Sequence, residues 1–490
     1  MLFFEPVRDR KTAPSLVDQA VAAIERAIKQ QLLRPGMALP SVRQFAKSHG
    51  LSAFTVSAAY NRLVAENWLT SRPGSGYRVA AAAKTPRPAF AAHWTPPQIG
   101  ASWLLADVFA DHSIPIKSGC GWLPPDWVNE AGVQHALRQV ARTPINQVAG
   151  YGHPYGYFPL REYVQQFLGG HGAALDIDQV LLTQGATQGL DIVIRTLLRP
   201  GDAAAVELPC YANLLPALRL AGVRVVGVPR TEDGLDIEEL KKAAGGGIKI
   251  LFVNTVLQNP TGTSLSMGNA FRILQLAEQY DFRVIEDDVS RELMPQLGPM
   301  LVALAGPGRV VYVSGFSKSI MPSMRVGYIA ADAGLLKQLA QTKMTMGLTT
   351  PEMMERTVYQ VLRQGRHRAH LQRVQEKLRA AHDQLCALMD SHGFEVFSRP
   401  QAGLFLWARP PGPWRERGAA RLAELALQDG IWLAPGSYFD SGRDRPGQER
   451  PGQDRPGGAD TGWIRFNVAY SLHPALWQFM RRVGASSSFA

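Results

Sequence analysis

The strongest chemical signal in this 490-residue chain is a lysine directly after an apolar stretch, with an arginine seven residues further on. The segment reads Ser314-Gly-Phe-Ser317-Lys318-Ser-Ile-Met-Pro322-Ser-Met-Arg325-Val-Gly327-Tyr328. An isolated lysine is ordinarily a solvated surface cation. Lys318 instead follows VVYVS and is enclosed by small and apolar residues. A desolvated amine gives up its proton more readily and becomes a nucleophile. Arg325 adds a fixed cation whose planar fork suits a phosphate. A second segment, Thr183-Gln-Gly185-Ala186-Thr187-Gln188-Gly189, lies between the apolar VLL and a helical stretch. Small residues there allow the first backbone N–H groups of a helix to close on an anion. Alone it is a weak glycine-rich loop, as Gln258-Asn259-Pro260-Thr261-Gly262 alone is a turn.

The elements that would hold these groups follow an α/β rhythm. From about residue 115 to 480, short apolar runs such as KILFVN (249–254), RVIE (283–286) and VVYVS (310–314) alternate with helical stretches. That alternation predicts a mostly parallel sheet covered on both faces. Residues 80–100, rich in alanine and proline without apolar periodicity, read as a linker stiffened by its prolines. The expected organisation is an N-terminal domain over 1–80, a linker over 81–114 and a large domain over 115–490. Within the last, 441–461 carries DRPGQ-ERPGQ-DRPGG and almost no apolar residue, as expected of a disordered insertion.

The N-terminal domain reads as three helices and a hairpin. Val17, Val21, Ile24 and Ile28 recur at helical spacing, predicting a helix from about Ser15 to Gln31. Ser41 is placed to cap a short helix that Gly50 ends. Ser52 is placed to cap a third, with Val56, Tyr60 and Leu63 inward and Thr55, Ser57 and Asn61 on the opposite face. Trp68-Leu69-Thr70 and Tyr77-Arg78-Val79 then flank Arg72-Pro73-Gly74-Ser75-Gly76, a hairpin with glycines for positive φ. Two short helices on a tight turn followed by a β-wing is the order of a winged helix-turn-helix.

Bulk properties narrow the function classes. The chain is 46% hydrophobic and 19% charged, too apolar for global disorder. No run approaches the roughly 18 apolar residues of a membrane span, and MLFFEPVRDRK is no signal peptide. Cys120, Cys210 and Cys386 are scattered, with neither disulfide nor metal-ligand spacing, as expected for a reducing cytoplasm. Net charge is +11, and residues 1–80 hold eleven Lys/Arg against five Asp/Glu. So +6 falls in about a sixth of the chain, an asymmetry that points to nucleic acid.

Two family resemblances rest on these residues. The stretch PGMALPSVRQFAKSHGLSAFTVSAAYNRLVAENWLTSRPGSGYRV resembles the GntR-type winged helix. The resemblance implies that the 52–66 helix enters the major groove of operator DNA, with Ser41, Ser52, Thr55 and Ser57 at that surface and Arg43, Arg72 and Gly74 approaching phosphates. Ala53 departs from it, since the family often has arginine there. The Lys318 segment resembles the Schiff-base lysine of fold-type I pyridoxal 5′-phosphate proteins, the aspartate aminotransferase group. That fold comprises a large, mostly parallel sheet domain and a smaller α+β domain. The resemblance implies a cofactor cradled at its phosphate by Ala186, Thr187 and Arg325 and bound also by Ser317, with Tyr151 reaching the phosphate of a neighbouring subunit. It further implies Asp287 at the pyridine nitrogen, with Asp288 as the competitor for that role, and Asn259 at the 3′-oxygen. Tyr211 would stack on the ring, and Arg465 would clamp a substrate carboxylate.

The fusion of the two parts is similar to the MocR/GabR group of bacterial regulators. It implies a domain-swapped homodimer that binds double-stranded DNA and senses a small amine or amino acid through an external aldimine formed in exchange for Lys318. Departures bear on turnover more than on fold. Val289 stands where the related regulators have a tyrosine donor to the 3′-oxygen, and Gly315 stands where a hydroxyl residue touches phosphate. Each lost hydrogen bond costs about 1–3 kcal/mol, tolerable for binding. A working aminotransferase with an autoregulatory DNA-binding head, and a regulator that senses the cofactor itself, remain alternative readings.

Overall fold

The computed structural model describes residues 6–7, 14–30, 32–72, 76–80, 114–296, 298–440 and 462–485. The chain falls into two compact units, one within residues 1–95 and the other within 96–490. The 441–461 insertion and almost all of the expected linker lie outside the described residues.

In the first unit each helix starts at a serine, for the same reason. Helix α1 (Leu16–Lys29), α2 (Val42–His49) and α3 (Ala53–Ala65) begin at Ser15, Ser41 and Ser52, whose hydroxyls accept from the N–H of Asp18, Gln44 and Thr55. Those bonds satisfy donors that the first turn leaves open. At Ser41 a full capping box forms with Gln44. Gly50 ends α2 at φ 61°, a conformation that costs glycine nothing. The first helix stops slightly short of the expected Gln31. Val56, Ala59, Tyr60 and Leu63 of α3 are fully buried against Ile24 and Phe45. Strands β1 (Leu69–Arg72) and β2 (Gly76–Val79) pair antiparallel, Leu69 opposite Val79 and Arg72 opposite Gly76. The expected contact Gly74 lies outside the described residues.

The second unit is built on an eight-stranded sheet. Its strands are β3 (Val180–Thr183), β4 (Ala203–Leu208), β5 (Arg224–Thr231), β6 (Gly234–Leu235), β7 (Ile250–Asn254), β8 (Arg283–Asp287), β9 (Val310–Gly315) and β10 (Gly327–Ala330), in the order β3-β10-β9-β8-β7-β4-β5-β6. The central run from β9 to β5 is parallel, while β10 and β6 pair antiparallel to their neighbours. Parallel strands are buried on both faces, which is why KILFVN, RVIE and VVYVS read as continuous apolar runs. A smaller layer carries strands β11 (Glu395–Val396), β12 (Phe405–Arg409), β13 (Ala434–Pro435) and β14 (Ile464–Asn467), all antiparallel, in the order β11-β12-β14-β13. The helices Arg366–Ser391, Ala419–Gln428 and Pro474–Ala485 share its core.

Candidate functional site

Parallel strands that end on one side bring their C-terminal residues together, the usual place for a ligand in an open α/β sheet. Asn254 ends β7, Asp287 ends β8, and Ser317 and Lys318 follow β9. With Gly121, Tyr211 and Arg465 they line one cavity of about 190 Å3. A buried ion pair between Arg230 and Glu207 braces it from behind. Glu207 Oε1 accepts from Asn254 N at 3.0 Å and from Gln258 Nε2 at 3.2 Å. Arg230 Nε donates to Thr263 Oγ1 at 2.7 Å, so both ends of the Asn259 turn are held.

Asp287 is anchored through its backbone, its carbonyl accepting from Asn254 Nδ2 at 2.6 Å. Its carboxylate is buried, and Oδ1 has no hydrogen-bond partner among the described residues. Burial, reinforced by Asp288 and Glu207 nearby, pushes its pKa up to about 7. Asp288 is committed elsewhere, accepting from Arg291 and, at 3.0 Å, from the hydroxyl of Tyr312. Of the two adjacent acids, only Asp287 lines the cavity.

Lys318 Nζ donates to the Gly121 carbonyl. Burial, followed by the positive charge of Arg465, lowers its pKa to about 8. Arg325 adopts φ 48°, rare for a residue with a side chain, and its Nη2 donates to Gln184 O at 3.3 Å. The backbone crowds in beside it. A Cβ on Gly185 would lie 2.7 Å from Arg325 Nη2, and one on Gly327 would lie 2.6 Å from the Gly185 carbonyl carbon. A Cβ on Gly315 would come within 3.1 Å of Gly327 Cα, so the missing hydroxyl there goes with a closer approach of strand to strand.

The Tyr211 hydroxyl lies 3.1 Å from Thr187 Oγ1 and accepts from Asn213 Nδ2 at 3.0 Å. Arg465 donates from Nη1 to Asn259 Oδ1 at 2.7 Å and from Nη2 to the Gly119 carbonyl. Its guanidinium lies over the rings of Phe405 and Phe439, 4.6 and 4.7 Å from their centres. Burial lowers its pKa to about 10. Among the described residues no carboxylate pairs with it, and its Nε is unpartnered. A buried cation without a carboxylate partner has the chemistry to take an anion.

The cavity fits pyridoxal 5′-phosphate. The orphaned carboxylate oxygen of Asp287 would be completed by a protonated ring nitrogen, and the desolvated amine of Lys318, with Arg325 and a helix start for an anion, line the same cavity. The structure brings Lys318, Asp287, Asn259, Tyr211, Ala186, Thr187, Ser317, Arg325 and Arg465 to this one cavity. Tyr151 is not among its lining residues and is 85% exposed. Asn254, Trp122, Trp432 and Phe439 also line it, and sequence reasoning missed all four. Asn254 was legible in principle, as the last residue of a strand neighbouring that of Asp287. The two tryptophans and Phe439 sit in no motif.

On the first unit Arg43 is exposed, while Thr55 and Ser57 are only half exposed. Ser41 and Ser52 serve their own helices as caps. The outward face of α3 is led instead by Phe54, 83% exposed, which no sequence pattern singled out.

Comparison with known proteins agrees with both halves. Residues 125–474 match aminotransferase class I and II, and residues 16–79 match the bacterial regulatory proteins of the gntR family. The chain is 28% identical to the HTH-type transcriptional regulator TauR of Rhodobacter capsulatus, over 84% of this chain and 87% of TauR. It is 30% identical to the 2-aminoadipate transaminase of Thermus thermophilus, over 66% of this chain and 82% of the transaminase. The solved structure of LysN, the α-aminoadipate aminotransferase of Thermus thermophilus in complex with N-(5′-phosphopyridoxyl)-L-leucine, superposes with a TM-score of 0.68 at 25% identity, covering 79% of this chain and 96% of LysN. The chain therefore belongs to the aminotransferase class I and II family and carries at its N-terminus a winged helix of the gntR family of bacterial regulators.

Proposed function

We propose that this chain is a MocR-type transcriptional regulator that binds pyridoxal 5′-phosphate and senses a small amine or amino acid at that site. The observation that carries the reading is the convergence of Lys318, Asp287 and Arg465 on one buried cavity in a chain that also bears a winged helix. When bound, the cofactor supplies a carbonyl that amines capture and a ring that withdraws electrons. The residues of the chain do the rest. Lys318, with its lowered pKa, offers a neutral amine at neutral pH more often than an exposed lysine does. Asp287 would hold the ring nitrogen protonated, and Arg325 with the start of the helix Gly185–Leu197 would hold the phosphate. Arg465 orients a ligand carboxylate against Lys318. Trp122, Trp432 and Phe439 exclude water, which strengthens these polar contacts.

The assembly we propose is a homodimer, domain-swapped as in the regulators it resembles. Tyr151 supports it, since an aromatic residue so exposed in one chain is free to reach a second copy. A ligand that prefers one arrangement of the second unit then biases the DNA-binding heads by its difference in affinity. The test is DNA affinity of the cofactor-loaded protein across a panel of amino acids and amines. One ligand should change it, and Lys318→Ala should abolish the change. No response to any ligand would count against sensing.

The second reading is a working aminotransferase, favoured by the likeness to the Thermus thermophilus transaminase. Lys318 is positioned to move a proton between substrate atoms. Val289, apolar at the cavity wall, supplies no hydrogen bond to a cofactor oxygen and favours binding over turnover.

A further inference from the structure

The first turn of α3 presents carbon rather than charge. Phe54 is 83% exposed and Ala53 beside it is exposed. Several polar side chains of α3 and its cap are engaged within the fold. Ser52 Oγ caps the helix and lies 2.8 Å from Thr55 Oγ1. Asn61 Oδ1 accepts from the Tyr77 hydroxyl at 3.1 Å. Arg62 is held by Asp18 at 2.6 Å and Glu66 at 3.0 Å. No arginine or lysine of α3 is therefore free for the fork-to-guanine contact that most often specifies a base. Yet the N-terminal residues of a recognition helix are those that reach base edges in the major groove. A phenylalanine left in water at such a position forfeits burial unless a partner covers it.

We infer that α3 reads thymine through its C5-methyl group, with Phe54 making the contact and Ala53 giving the methyl room. The inference rests on the DNA-binding reading of the winged helix. In the major groove only thymine displays a methyl, so an apolar side chain there separates A·T from G·C pairs without a hydrogen bond. Arg43, exposed on α2, supplies backbone attraction that is indifferent to sequence.

The experiment uses the full-length protein and a library of duplexes with a randomised centre. The selected sites should carry thymine at a fixed position in each half-site. Synthetic duplexes with deoxyuridine at that position lack only the methyl, and should bind about fourfold more weakly per half-site, as expected for exposing one methyl-sized group. Phe54→Ala should lower affinity for the thymine duplex and leave the deoxyuridine duplex unchanged, erasing the discrimination. Phe54→Leu should keep part of it. Because Phe54 is 83% exposed, the melting temperature of these variants should not move. The inference is overturned if deoxyuridine has no effect at any selected thymine, or if Phe54→Ala weakens both duplexes equally. Failure of the full-length protein to retain any duplex at low salt would overturn the DNA-binding reading itself, and this inference with it. That outcome is separable because it shows on random as well as selected sequences.

Discussion

Asn259 and Arg465 orient each other. The amide oxygen of Asn259 accepts from Arg465 Nη1 at 2.7 Å, although the residues are 206 positions apart. A guanidinium only donates, so the amide must turn its oxygen to Arg465 and offer its NH2 to the cavity. The donor expected at the cofactor 3′-oxygen and the clamp expected for the ligand carboxylate are thus one unit.

Asn259→Asp tests that coupling. It places a carboxylate against the buried guanidinium and cancels the charge that attracts a ligand anion. Affinity for amino acids should fall at least tenfold, equivalent to about 1.4 kcal/mol, while an amine lacking a carboxylate should lose much less. Titration followed by cofactor absorbance reads both.

Lys318 reacts only as the free amine. With its pKa near 8, the rate of cofactor incorporation should rise with pH, reach half its plateau near pH 8 and flatten above. An exposed lysine would keep climbing toward pH 10.5. The same shift carries a stability cost. Between about pH 8 and 10.5 the unfolded chain holds a proton that the folded one lacks, so the cofactor-free protein gains stability as pH rises through that window. Lys318→Met should accordingly raise its melting temperature at pH 7.

Asp287 carries the opposite sign. Its folded pKa is raised from 3.8 to about 7, so between those values the folded state keeps a proton the unfolded state has released, and stability falls as pH rises. Asp287→Asn removes that cost. The cofactor-free variant should melt a few degrees higher near neutral pH, yet bind pyridoxal 5′-phosphate at least tenfold more weakly, because the ring nitrogen loses its counter-charge. A variant both less stable and fully competent in binding would contradict the assigned role.

On the DNA-binding head, Ser52→Ala removes the cap of α3 and should cost about 1 kcal/mol of that domain's stability. Operator binding by the +6 segment should weaken steeply as salt rises, because phosphate contacts release counterions. Arg43→Ala should make the slope of log affinity against log salt shallower by about one, the share of a single neutralised phosphate. A filter or fluorescence titration across salt concentrations checks the slope, and thermal melting checks the cap.

Much of this was legible in the sequence because the chemistry is local. Lys318 and Arg325 share one segment, Asp287 ends its strand, and Ser41 and Ser52 cap their helices within three residues of the groups they bond. The winged helix could be read element by element for the same reason. The carbonyl partner of Lys318 was not legible, because Gly121 lies 197 positions away. Nor were Trp122, Trp432 and Phe439, which lie more than 100 positions from Lys318 and line the cavity only once the chain is folded. Phe54 carries no signal of its own, because an apolar residue two positions from a buried one also reads as core. Its 83% exposure, with Val56 and Tyr60 buried, shows that its ring faces water.

If ligand capture at Lys318 controls DNA binding, cofactor absorbance and operator affinity must change together. Both can be followed in one sample during titration with amino acids and amines, with keto acid assayed in parallel. A sensor predicts one ligand that gives a lasting, Lys318-dependent spectral change, a matching change in operator affinity and little or no keto acid. Steady keto-acid release, with colour restored by 2-oxoglutarate and operator affinity unmoved throughout, would contradict it and make the chain an aminotransferase.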